Sequence, residues 1–147
     1  VDYFGVQKYS KNIPVVVNPN TSTLCFEQKN FVAANNIYAR YVVLLATLRN
    51  ADTVVASGHC YLAPASQMPL PKNPIIITKT KKNNGYELEL SSRALTRAVY
   101  IYSEDVDGFF SDNYFDLIPG TKTNITFTPF DENKEVNFKT YSLVDTY

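Results

Sequence analysis

The sequence predicts an all-β protein whose main part is a sandwich of two antiparallel sheets. Short runs of β-branched and aromatic residues recur along the 147-residue chain, with turn residues between them. Several runs alternate apolar and polar residues, which is typical of strands with one buried face. Hydrophobic residues make up 45% of the sequence, and the core formers among them are the strand-favouring Val, Ile, Leu, Tyr and Phe.

Four strands are predicted in the first half of the chain. Residues 13–17 and 23–27 are short β-rich runs that end at turn or charged residues. Residues 38–48 form the longest such run, although Ala and Leu residues within it also favour a helix. Residues 53–62 follow after residues 49–52, whose composition predicts a hairpin turn.

A proline-rich segment separates this half from the next. Residues 64–74 contain half of the eight prolines, which cannot donate ladder hydrogen bonds and favour extended geometry. We therefore expect a stiff linker or a sheet-edge crossing here. The sequence predicts a β-rich segment over residues 1–70 and a sandwich domain over residues 71–147.

The strand pattern is sharper beyond the linker. Asn84-Gly85 is a strong hairpin signal between two strands, and the second of them alternates apolar residues with Glu87 and Glu89. The predicted strands after Pro74 cover residues 75–80, 86–90, 98–102, 125–127 and 136–141, besides the corner described next. This number of short strands fits an immunoglobulin-like sandwich.

Residues 111–120 predict a corner where the chain crosses between sheets. Pro119-Gly120 is turn chemistry, because Pro fixes φ and Gly adopts a positive φ. The aromatic residues before it favour burial, and the polar residues between them favour bonds to backbone groups. We expect Phe115 and Leu117 to be largely buried. The predicted corner residues are Asp112, Asn113, Phe115, Asp116, Pro119 and Gly120.

Three segments carry a family likeness. They are Leu88-Glu89-Leu90-Ser91-Ser92, Ala98-Val99-Tyr100-Ile101 and Asp112-Asn113-Tyr114-Phe115-Asp116-Leu117-Ile118-Pro119-Gly120. Together they resemble the C-terminal immunoglobulin-like domain of β-mannosidases, which belong to glycoside hydrolase family 2. The aromatic-Asp-Leu-aliphatic-Pro-Gly corner is the most specific part of this resemblance.

The resemblance extends more weakly into the first half. Asp2-Tyr3-Phe4-Gly5 with Lys8 is similar to the family's segment that leaves the catalytic barrel. Residues 44–48, Tyr61-Leu62 and Leu70-Pro71 are similar to the end of the penultimate sandwich domain. Residues 14–41 are too few for that whole domain, so we expect a partial or reduced second sandwich.

The resemblance implies a non-catalytic accessory domain that needs no cofactor. In the family the catalytic glutamates lie on an upstream barrel, and the chain, which does not start with Met, is expected to be a piece of a longer polypeptide. Its partners would be the other domains of a parent enzyme that hydrolyses β-mannosidic bonds. The family's usual setting implies an exported parent, in the periplasm, outside the cell or in the lysosome. The location of the piece itself stays open.

Two carboxylate pairs are candidates for catalytic groups, since retaining glycosidases need two acids close together with one of them buried. Glu87 and Glu89 share the polar face of their strand, where exposure leaves both as ordinary acids. Asp112 and Asp116 lie in a turn, where carboxylates accept backbone N–H bonds. The sequence therefore predicts no catalytic residue.

No metal site is predicted either. Asp105, Asp107 and Asp112 follow part of a calcium-loop pattern, but Phe110 occupies the position that requires glycine. The two cysteines lack the partners of a zinc site. We expect one buried thiol and a surface imidazole at His59, with a Cys25–Cys60 disulfide as the alternative.

Carbohydrate binding is the alternative function. Tyr100 and Tyr102 share a strand face and Tyr114 lies in the following turn, so these rings are candidates for contact with a glycan. A protein-interaction domain is a third class, because sandwiches serve many functions. The formal net charge is zero, and Lys79, Lys81 and Lys82 form a small basic cluster at a hairpin tip. Neither a nucleic-acid partner nor a membrane is therefore predicted.

Overall fold

The computed structural model describes residues 1–131 and 133–147, and this part of the chain is almost entirely β. Its nine strands pair antiparallel in three sheets, which confirms the predicted all-β class. Besides the four-residue helix α1 (Phe31–Ala34) it has 3₁₀ turns at Ala39–Tyr41, Ala65–Gln67 and Leu143–Thr146. No helix among these residues is long and apolar enough to cross a membrane.

The contacts divide the chain into two compact units. The first contains residues 1–2 and 6–68, and the second contains residues 3–5 and 69–147. The sequence-based division after residue 70 lies close to the one between Met68 and Pro69.

The first unit contains one hairpin, made of β1 (Val43–Asn50) and β2 (Thr53–Tyr61). Residues 13–17 and 23–27, which are among the described residues, form no strand, so both strand predictions are wrong. All side chains there except that of Ile13 are exposed, with Val16 at 90% and Leu24 at 79%. β-propensity is realised only when a strand has neighbours to pair and pack with, and these segments have none.

Both cysteines are free and exposed. The expected buried thiol is therefore wrong, and the alternative Cys25–Cys60 disulfide is not formed. Cys25 lies in one of the segments without a strand. Cys60 lies on β2, where every residue before Tyr61 is exposed, so neither face of this strand provides a covered position.

The second unit is a two-layer sandwich. Its strands are β3 (Ile75–Lys82), β4 (Gly85–Ser92), β5 (Thr96–Ser103), β6 (Gly108–Phe110), β7 (Phe115–Leu117), β8 (Thr123–Pro129) and β9 (Phe138–Tyr141). One sheet has the order β3-β4-β8-β6, and the other has the order β7-β5-β9. A two-residue turn at Asn83-Asn84 joins β3 to β4 where the sequence predicts a hairpin, and Lys82 pairs with Gly85, the first residue of β4.

The core lies between these two sheets. Alternation along β4 buries Tyr86, Leu88 and Leu90 and turns the two glutamates outward. The core residues are Tyr86, Leu88, Leu90, Val99, Ile101, Val106, Leu117, Ile125, Phe127 and Val136, drawn from both sheets and from two connecting loops. Burial of ten such side chains is the main favourable term in folding, at roughly 25 cal/mol per Å² of apolar surface.

Candidate functional site

The corner carries the chain from one sheet to the other. β6 ends at Phe110 in the four-stranded sheet, and β7 begins at Phe115 in the three-stranded sheet. Ser111 ties the start of this crossing to β8: its N–H donates to the Thr126 carbonyl and its Oγ accepts from the Thr126 N–H, each at 2.9 Å. The local sequence does not predict this role for Ser111, because its partner Thr126 lies fifteen residues away.

Asn113 ties the same crossing to the opposite sheet. Its Oδ1 accepts from the Ile101 N–H and its Nδ2 donates to the Ile101 carbonyl, both at 2.8 Å. The carboxamide therefore satisfies both backbone groups of one β5 residue, as a neighbouring strand would. Oδ1 also accepts from the N–H of Tyr114, a non-glycine residue with φ of +61°. Asn113 thus stabilises a backbone conformation that most residues avoid.

The two aspartates of the corner serve separate backbone groups. Asp112 Oδ1 accepts from the Asn113 N–H at 2.8 Å. Asp116 Oδ1 accepts from the Ala98 N–H at 2.7 Å, and its Oδ2 lies 3.7 Å from Arg97 Nε. Ala98 has a φ of +48° and lies where the β5–β7 register shifts. Asp116 therefore supports an irregularity in β5 that the sequence did not predict.

The apolar and turn residues of the corner complete it. Leu117 is fully buried, and Phe115 is partly buried against the core. Pro119 and Gly120, with φ of +78°, form a turn closed by a 3.1 Å bond from the Thr121 N–H to the Ile118 carbonyl. Proline followed by a positive-φ glycine is the pattern of a type II turn. The corner therefore holds the two sheets together, and we call residues 111–120 the clamp.

Replacing Asn113 with aspartate tests this clamp. Asp keeps the acceptor for the Ile101 N–H but puts a carboxylate oxygen against the Ile101 carbonyl, and an unsatisfied, partly buried group costs about 1–3 kcal/mol. We expect Asn113→Asp to lower the free energy of unfolding by that amount at neutral pH, measured by urea denaturation.

The pH dependence makes this test specific. The new carboxyl no longer donates to the Ile101 carbonyl, and its ionised form is repelled by that carbonyl, so its pKa is raised in the folded state. The loss in free energy of unfolding therefore applies while the carboxyl is ionised, and it shrinks as the pH falls through the raised pKa. The exposed Asn12→Asp substitution is the matched control and should change stability by less than about 0.5 kcal/mol. A penalty that stays constant between neutral and acidic pH would contradict the proposed loss of a donor.

The candidate carbohydrate contacts form a row on the outer face of the three-stranded sheet. The ring centroids of Tyr114 and Tyr100 are 5.1 Å apart, and those of Tyr100 and Tyr102 are 5.7 Å apart. Tyr141 stacks on Tyr102, with ring centroids 5.5 Å apart. We call these four residues the tyrosine row. Tyr141 was missed as a site residue because only the β5–β9 pairing, which sets it opposite Tyr100, brings it there.

Hydroxyl groups are linked at one end of the row. The hydrogen bond between the Tyr102 and Tyr141 hydroxyls raises the pKa of Tyr102 to about 12, because the bond and the neighbouring acidic groups disfavour the phenolate. Tyr102 is therefore neutral at physiological pH, and its hydroxyl group can donate and accept hydrogen bonds.

The other candidate groups are engaged elsewhere. Glu87 pairs with the exposed Lys82 at 2.9 Å, and Glu89 pairs with the exposed Lys122 at 2.7 Å; both glutamates are partly exposed. Lys79, from the basic cluster, donates to the Val136 carbonyl at 2.9 Å. Within residues 1–131 and 133–147, no three His, Cys, Asp or Glu side chains are placed to hold a metal ion.

Comparison with known protein families identifies the sandwich. The family model Ig_mannosidase, described as an Ig-fold domain, matches residues 70–146. This range includes the whole two-layer sandwich, the corner and the tyrosine row. No curated protein matches the chain.

Proposed function

This chain belongs to the Ig_mannosidase family of Ig-fold domains, and from that membership we propose that it is a non-catalytic accessory domain of a β-mannosidase-like glycoside hydrolase. In this role the sandwich stabilises a parent enzyme that cleaves β-mannosidic bonds in glycans. Its partners are the other domains of that parent.

The observation that carries this proposal is what the polar side chains of the matched segment bond to. The carboxylates and the carboxamide of the corner bond to backbone groups of β5 and of the corner itself. A glycosidase needs two converging carboxyl groups, one of them with a pKa raised by burial. The candidate acids of this sandwich instead accept structural bonds or pair with exposed lysines, which supports a structural role.

The proposal is tested in the intact parent enzyme with two isoleucine substitutions. Ile125 is 1% exposed on β8, and Ile76 is 49% exposed on β3. Ile125→Ala should cost the sandwich about 2–5 kcal/mol, whereas Ile76→Ala should cost about 0.5 kcal/mol or less. We expect only Ile125→Ala to lower the temperature at which the parent loses solubility and activity.

Steady-state kinetics distinguishes an accessory role from a catalytic one. At temperatures where both variants are folded, kcat and KM for a nitrophenyl β-mannoside should match those of the unmodified enzyme, and the chain alone should not hydrolyse it. An unchanged inactivation temperature for Ile125→Ala would contradict the stabilising role. Hydrolysis by the chain alone would overturn the non-catalytic assignment.

A further inference from the structure

A short segment near the start of the chain is part of the second unit. Its contacts group residues 3–5 with residues 69–147, although residues 6–68 lie between them in the sequence. Tyr3 is only 4% exposed, whereas the next residue, Phe4, is 67% exposed. The family match covers residues 70–146 and therefore does not include this segment.

The backbone of Tyr3 is bonded to the loop between β4 and β5. The Leu95 N–H donates to the Tyr3 carbonyl at 2.7 Å. Leu95 is fully buried, and a buried backbone N–H without an acceptor is destabilising. The Tyr3 carbonyl therefore satisfies a backbone group of the sandwich.

The β4–β5 loop is held in shape by buried polar side chains. The hydroxyl groups of Ser92 and Thr96 both lie within hydrogen-bonding distance of the Ala94 carbonyl, at 2.7 and 3.1 Å. Asn73 Nδ2 donates to Ser92 Oγ at 2.5 Å. These bonds fix the loop directly before Leu95, so its N–H is held in position for an acceptor.

The turn of the clamp contacts the same segment. A Cβ added at Gly5 would lie 3.2 Å from Pro119 Cβ, which is closer than carbon atoms in ordinary contact. β5 and β7 pair with Thr96 opposite Leu117, so the residues just before Thr96 and just after Leu117 lie at one end of this pair. The segment therefore contacts two connections of the sandwich that meet at this end.

We propose that this end of the β5–β7 pair is a peptide-binding site, and that its ligand is the segment Tyr3-Phe4-Gly5 of the same chain. The site fits an aromatic residue that becomes buried, whose carbonyl accepts from Leu95, followed two residues later by a glycine that can lie against Pro119. The folded sandwich is then discontinuous in sequence. Withdrawal of residues 3–5 would leave a buried N–H without its acceptor, so occupancy of the site controls the stability of this end of the sandwich.

Hydrogen exchange of the intact chain, measured by NMR, tests the site. Tyr3→Ala removes the buried side chain that holds the segment, so the Leu95 amide should exchange at least about tenfold faster. Amides of β5 and β7 should follow, whereas those of the β1–β2 hairpin should change by about twofold at most. Val6→Ala is the matched control: Val6 is 53% exposed, so this variant should also change Leu95 exchange by about twofold at most.

A synthetic peptide with the sequence of residues 1–8 tests recognition directly. Added at millimolar concentration to the Tyr3→Ala chain, it should move the Leu95 amide resonance back towards its position in the unmodified chain. The same peptide carrying Tyr3→Ala should not. If Tyr3→Ala leaves the sandwich unfolded, Tyr3→Leu, which keeps part of the apolar side chain, serves for both measurements and should give a smaller increase in exchange.

Three outcomes would overturn the proposal. One is equal Leu95 exchange in the Tyr3 variant and in Val6→Ala. Another is an equal increase at Leu95 and in the β1–β2 hairpin, which would show a loss of stability throughout the chain rather than release from this site. The third is an equal response to the two peptides. None of these outcomes bears on the kinetics of the parent, so the accessory role is tested separately.

Discussion

Replacing Phe127 with alanine is expected to cost the sandwich about 3–5 kcal/mol, the range for removing a fully buried aromatic ring. Phe127 is 1% exposed, and its ring centroid lies 4.5 Å from the ring centroid of Phe110 and 5.2 Å from that of Phe138. These partners belong to β6 and β9, so the ring joins both sheets. Its loss removes apolar burial, two aromatic contacts and the filling of the core centre.

The measurement is urea denaturation of the chain, followed by tyrosine fluorescence and circular dichroism. Small domains are stable by about 5–15 kcal/mol, so this loss removes a large share of the total. Phe109→Ala is the matched control, because Phe109 is 70% exposed on β6 and contacts the equally exposed Phe130. It should cost about 1 kcal/mol at most. Equal losses for the two variants would show that Phe127 is not central to the core.

The local sequence predicted the sandwich well because its strands alternate. On β4 each apolar side chain points to the core and each glutamate to solvent, so the sequence pattern and the buried face coincide. The two-residue turn at Asn83-Asn84 lies where the local sequence predicts a hairpin, and it sets the β3–β4 register. Where local preference and tertiary packing agree, a single sequence is sufficient for the prediction.

The first unit shows where this agreement ends. Residues 13–17 have the composition of a strand, but a strand also needs a partner for its backbone groups, and composition does not reveal whether one exists. The prediction for residues 38–48 was partly right, because β1 starts at Val43 and a 3₁₀ turn at Ala39–Tyr41 occupies the earlier part.

Long-range pairing limited the prediction of the sites. The type of turn at Pro119-Gly120 follows from two adjacent residues, whereas the partner of Asn113 lies twelve residues back on β5. Tyr141 joins the tyrosine row only because β9 pairs with β5. The local sequence therefore identifies residues that face outward or lie in turns. Their partners cannot be predicted from it, because the partners depend on which strands are neighbours in the sheets.

Substituting Gly85 with alanine is the second large expected effect, because it acts on the backbone of the β4–β8 pair. A Cβ at Gly85 would lie 2.1 Å from the Phe127 carbonyl oxygen and 3.1 Å from the Pro129 Cδ. Gly85 also has a φ of +145°, a conformation that residues with a side chain rarely adopt. The first contact is with backbone, which cannot rotate away, so the two strands would have to separate.

Gly120→Ala separates these two costs. Gly120 has a φ of +78° but no atom within 4 Å of an added Cβ, so alanine there should cost only the backbone term of about 1–2 kcal/mol. Gly85→Ala adds overpacking of about 1–3 kcal/mol, giving an expected total loss of about 2–5 kcal/mol in urea denaturation. Hydrogen exchange should locate the added loss in the amides of β4 and β8. If the two variants were equally stable, the tight β4–β8 approach at Gly85 would not contribute, and the conformational requirement for glycine alone would explain both positions.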